Sequence, residues 1–136
     1  MKNFLIFALF LTFNMALSQS KLSGDSPYLN AIKVDKIKDS QFDFIQNALI
    51  SWDFSTFELG TTELSIEVVT ILDCFNAEQA SQFKEQFTIL SKNNFTLKGK
   101  TQLMHLDLMA KCFKYRLVVK NSETFVSDWF YFTFIK

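Results

Sequence analysis

In the stretch ALISWDF, residues 48–54, Ala48, Ile50, Trp52 and Phe54 occupy every second position. Alternate positions share a face only in an extended chain; a helical face repeats every 3.6 residues. The same period-2 spacing recurs along the chain. Phe42 and Phe44 extend it upstream, and AIKVDKI places Ile32 and Val34 on one side. LSIEVVTILDCF carries Leu64, Ile66, Val68, Leu72 and Cys74 on one face, with Val69 and Ile71 on the other, as suits a central strand covered on both sides. CFKYRLVV alternates through Phe113, Tyr115, Leu117 and Val119. Turn signals separate these runs, among them ELGTTE around Gly60 and SKNN at 91–94. FTLKGKTQLMHLDLM reads as two strand-like pieces, the second with Met104, Leu106 and Leu108 on one face. The expected fold is all-β: an antiparallel, seven-stranded β-sandwich, not a parallel α/β sheet.

One segment reads two ways. Asn76 with Gln79 matches a capping box, and Ala80, Phe83, Phe87 and Leu90 fall at helical spacing. QFTIL equally starts a strand through Phe87 and Ile89. A short helix near 77–88 that leads into a strand is the expectation carried forward.

Residues 1–18 stand outside this pattern. Lys2 precedes an apolar run from Phe4 to Phe13, and Ala16-Leu17-Ser18 supplies the small residues of a cleavage site. A run of about ten residues is too short for a hydrocarbon core, which needs roughly 20. The reading is a signal peptide at 1–18, a flexible lead-in at 19–28 (rich in polar residues, with Gly24 and Pro27), one folded domain at 29–136, and export to a periplasm or the exterior without a stable membrane anchor. The chain balances 14 basic against 14 acidic residues, and loss of Lys2 leaves 13 against 14. Such a surface has no basic field for nucleic acid and no polybasic patch for anionic lipid. Of 17 phenylalanines, 13 lie beyond residue 18, ample material for a core.

In an oxidising compartment the two cysteines, Cys74 and Cys112, are most simply one disulfide, with two buried free thiols as the other reading. No catalytic constellation is visible. His105 is the sole histidine and sits in QLMHLDLM on the polar side with Asp107, as a solvent-facing strand residue. No nucleophile elbow, phosphate loop or close cysteine pair of the zinc type occurs. The carboxylate pairs Asp35 with Asp39 and Glu58 with Glu63 read as solvated surface. Asn94-Phe95-Thr96 matches a glycosylation sequon. The expectation is no enzyme, no cofactor and no metal.

Three stretches carry a family resemblance over about residues 29–136. ALISWDF is similar to a second strand whose Trp, here Trp52, anchors the core. CFKYRLVVKN resembles a sixth strand closed by an Asn, here Asn121. SETFVSDW looks like a last loop in which a Ser, here Ser127, precedes the final strand. Together they resemble a fibronectin type III domain, although the Pro- and Gly-containing link usual before the sixth-strand tyrosine is missing from DLMAKCFKY. The resemblance implies that the third and sixth strands are antiparallel neighbours, which brings Cys74 and Cys112 together. It implies no chemistry, since the family covers binding and spacer modules.

The closing run WFYFTFI has apolar residues at every position but Thr133. The resemblance puts this strand at a sheet edge, where open main-chain groups invite another chain. Trp129, Phe130, Tyr131, Phe132 and Phe134 are therefore the expected contacts for an unidentified protein partner of a small exported interaction module, such as an accessory subunit of an envelope complex. The alternative is a secreted carrier of a small apolar ligand or glycan, with the Phe-rich interior as its cavity.

Overall fold

The computed structural model describes residues 19–76 and 83–136. The leader and part of the capping-box segment lie outside the described residues. Among the described residues two layers stack face to face, antiparallel throughout except for one short parallel pair at the flank of the larger. The smaller sheet has the order β2 (Ile32–Lys38), β3 (Gln46–Asp53) and β6 (Lys98–Leu103). The larger contains β5 (Phe83–Leu90), β4 (Glu63–Ile71) and β7 (Cys112–Lys120), then β8 (Thr124–Val126) and β1 (Ser20–Lys21). β9 (Phe130–Thr133) runs on from β8 along the same flank of β7.

The alternation read in the sequence forms the shared core. Ala48, Ile50, Val68, Leu103, Phe113, Phe132 and Phe134 fill one half, and Trp52, Phe54, Leu64, Ile66, Leu90, Leu117 and Val119 the other. Trp52 is fixed at both ends: its Nε1–H donates to the carbonyl of Thr96 at 2.9 Å, and its ring lies across Gly99. A Cβ at Gly99 would stand 2.5 Å from Trp52 Cζ2, so a glycine is needed there for close approach. β4 is central, paired with β5 on one side and β7 on the other.

The described chain departs from the seven-strand expectation in several places. Residues 83–88 belong to a strand, not to the helix expected near 77–88. Glu85 donates its N–H to Thr70 Oγ1 at 2.9 Å, and Thr70 Oγ1 donates to the Glu85 carbonyl at 3.2 Å, so the edge of β4 captures the segment as a ladder partner. Two extra strands arise at the flank of β7. Ser20 and Lys21 pair in parallel with β8, and Leu22 donates its N–H to the Val126 carbonyl at 2.7 Å, so the lead-in is strapped to the sheet. The last loop expected over SETFVSDW, residues 122–129, contains β8.

β3 begins only at Gln46, and Phe42 and Phe44 sit exposed in the loop before it. β6 stops at Leu103, and a helical turn, α2 (His105–Leu108), replaces the second strand piece. The His105 N–H is taken by Asn47 Oδ1 at 3.0 Å, and α2 ends at Met109 in left-handed geometry, φ 49°. A short helix, α1 (Pro27–Asn30), precedes β2.

Cys74 and Cys112 form a disulfide across a sequence separation of 38, with Cα atoms 5.9 Å apart. Cys112 pairs with Ile71 on β4, and Cys74 lies just beyond that strand, so neighbouring strand ends set the bridge.

Candidate functional site

The closing strand changes face at a bulge. Val118 pairs with Val126, whereas Tyr115 pairs with Phe130: three steps along β7 oppose four along β8 and β9. One extra residue inverts the parity of everything that follows. Ser127 stabilises the insertion. Its Oγ accepts the Leu117 N–H at 3.0 Å and donates to the Asp128 carbonyl at 2.8 Å, while its own N–H donates to the Leu117 carbonyl at 2.9 Å. Phe125 before the bulge and Phe130, Phe132 and Phe134 after it therefore all point between the sheets.

This corrects the expected contact surface. Phe132 and Phe134 are 6 % and 0 % exposed; Phe132 stacks on Phe113 and Phe134 packs tilted against it, at centroid distances of 5.1 and 5.4 Å. They are core and cannot meet a partner. Trp129 faces outward, but cations cover it: Lys114 Nζ lies 4.7 Å and the Arg116 guanidinium 4.6 Å from its ring centre. Lys114 Nζ also sits 4.2 Å from the centre of Phe83, and Arg116 Nε bonds Glu67 Oε2 at 2.7 Å. The outer face of the large sheet thus carries a row of rings and cations in place of a bare aromatic strip.

Phe130 and Tyr131 remain, at 39 % and 51 % exposed. Phe130 stacks on Tyr115, centroids 5.3 Å apart, at the open side of the sandwich. With Leu29, Ile32, Tyr115 and Leu117 it borders a slot of about 90 Å³ between β9 and β2. Burial among these apolar neighbours pushes the Tyr115 phenol upward from its ordinary value. β9 itself has no charged residue, whereas β2, β5 and β6 each carry at least one lysine. Charged residues are the usual guard of a sheet edge.

The remaining polar residues form a structural clamp. Asp39 is 5 % exposed. Its Oδ1 accepts the N–H groups of Gln41 and Phe42 at 2.8 and 3.0 Å, and its Oδ2 accepts from Asn47 Nδ2 at 2.9 Å. These bonds, Gln41 first, hold its carboxyl below the usual range. His105 is half-buried on α2, not solvent-facing on a strand: its Nδ1 lies 2.7 Å from the Ala110 carbonyl, and its ring packs on Phe134. Among the described residues no cluster of three or more His, Cys, Asp or Glu side chains could hold a metal ion. Asn94 of the sequon caps the turn after β5, its Nδ2 donating to the Ile89 carbonyl at 3.0 Å.

Phe75 and Met109 are exposed apolar residues that the alternation did not single out, and Phe42 and Phe44, which it placed on a strand face, are exposed as well; all four lie in connections. The available signal was an apolar residue beside turn-forming ones, as in LDCFN. No protein-family model, curated protein or solved structure matches this chain.

Proposed function

We propose that the chain is a small exported, non-catalytic interaction module of fibronectin type III-like topology that binds another protein along β9. The topology is supported by the order β5-β4-β7 followed by β8 and β9, facing β2-β3-β6, in which the third and sixth long strands are antiparallel neighbours. Export is supported by the leader pattern and by the disulfide, which belongs to oxidising compartments. Among the described residues no helix is long and apolar enough to cross a membrane.

One observation carries the binding reading. β9 is an uncharged flank of the sandwich with a half-exposed inner-face ring, Phe130, at the mouth of an apolar slot. A partner segment lying along β9 covers Phe130 and sends one apolar side chain toward the slot, the recognition mode of strand addition. Tyr131 offers it an amphipathic contact on the outer side. The carrier reading has less support, because the phenylalanines meant to line a cavity (Phe54, Phe113, Phe134) fill the space between the sheets.

A photoreactive residue placed at position 130, in the chain exported by its own route, tests the proposal. The expected result is a discrete protein adduct, with none from position 100 on the solvent side of β6. Equal labelling at both positions, or none at 130, overturns it.

A further inference from the structure

Ala16-Leu17-Ser18 puts small residues at the two positions a signal peptidase reads, and the residue that follows is Gln19. Cleavage there makes a glutamine the first residue of the exported chain. A terminal glutamine holds a nucleophile and an electrophile in one residue, because the freed α-amine lies within ring-closing reach of its own carboxamide. Such an amine titrates at about pH 8, so a share of it is uncharged and nucleophilic at neutral pH.

We propose that Gln19 is a modification site, where the exported chain closes its N-terminus as a pyroglutamyl lactam that guards β1. The α-nitrogen attacks the side-chain carbon Cδ; a C–N bond forms there and the bond from Cδ to Nε2 breaks. Nε2 leaves as ammonia, taking up a proton that the α-nitrogen gives away. Nothing is oxidised or reduced, and no co-reactant is consumed. The positively charged terminus becomes a neutral N–H. The inference rests on the proposed export with loss of residues 1–18.

The fold puts this terminus where closure is unhindered and where a block has consequences. Gln19 is exposed and stands just outside the sheet, and β1 begins at the next residue. Ser20 pairs with Phe125 and Lys21 with Val126, in parallel. Lys21 Nζ lies 2.9 Å from Asp128 Oδ2. Leu22 donates its N–H to the Val126 carbonyl at 2.7 Å and packs against the half of the core that holds Leu117 and Val119. The strap is short, and it starts one residue after the new terminus. Proteolysis concentrates at exposed termini, and here removal of residues 19–22 takes the whole strap and the Leu22 contact with it. A lactam leaves an aminopeptidase no primary amine to recognise. Ser20, Lys21 and Leu22 carry no carboxamide, so the block depends on cleavage immediately before Gln19.

The test is the intact mass of the exported chain, with fragmentation of its N-terminal peptide. Samples are acidified on collection, which protonates the amine and halts closure during handling. The expected chain starts at residue 19 and is lighter by one ammonia than the disulfide-bonded sequence, the loss lying in the first residue. Gln19→Asn, whose shorter side chain could close only a strained smaller ring, is expected to keep its full mass. An added aminopeptidase should leave the wild-type chain intact and trim the variant into residues 20–22. A wild-type chain that starts at residue 19 with a free amine overturns the inference and leaves the export reading standing. So does a chain that starts at any later residue. Equal behaviour of the two proteins toward the aminopeptidase overturns the guarding role. Retention of residues 1–18 overturns both the inference and the export reading, while binding along β9 is judged separately by cross-linking at position 130.

Discussion

At the scale of single residues, buried and paired carboxylates set the acid limit of the fold. Asp39 is depressed by the N–H of Gln41 and the amide of Asn47. Asp53 is lowered to about 2, first by its bond to Lys98 and then by Ser55. A folded-state pKa below the unfolded value of about 3.9 contributes stability that is complete above that value. It is lost as pH falls through the folded pKa. The urea midpoint is therefore expected to hold from neutrality to about pH 4 and to decline toward pH 2. Asp39→Asn keeps an acceptor oxygen but removes the titration, so its midpoint should fall less steeply over the same range. Parallel curves for the two proteins would remove Asp39 from this account.

Elements here are decided by local insertions more than by propensity. The bulge at Ser127 determines which side of the closing strand is core, and a hydroxyl holds it in place. In Ser127→Ala the buried Leu117 N–H loses its acceptor, at a cost of about 1–3 kcal/mol in unfolding free energy. The urea midpoint should drop accordingly, while Ser122→Ala, in the exposed turn of the same connection, should leave it within about 0.5 kcal/mol. A loss no larger at 127 than at 122 would mean the bulge needs no side-chain support. α2 shows a related effect. Met104, Leu106 and Leu108 alternate as a strand would, yet Asn47 and the left-handed turn at Met109 close a helical turn there. No glycine marks that turn, so it leaves no trace in the residue types.

For the molecule as a whole, the disulfide is the covalent closure of a fold dominated by pairing between distant segments. Its loop of 38 positions predicts a stabilisation of roughly 4 kcal/mol from restricted unfolded chains. Reduction, or paired Cys74→Ser and Cys112→Ser, should lower unfolding free energy by about that amount; a change below about 1 kcal/mol would show that the β4–β7 ladder alone holds these ends.

The residues alone determined the class of fold, the core faces of β3, β4 and β7, the central place of β4 and the pairing partner available to each cysteine. Period-2 spacing is local, and a strand buried on one face must write that burial into its own side chains. Three matters were decided only in three dimensions. One inserted residue at 127 turned Phe132 and Phe134 inward, cations from β7 covered Trp129, and the edge of β4 took residues 83–88 into a strand. Each depends on which distant segment becomes a neighbour, a relation that no local run of residues encodes.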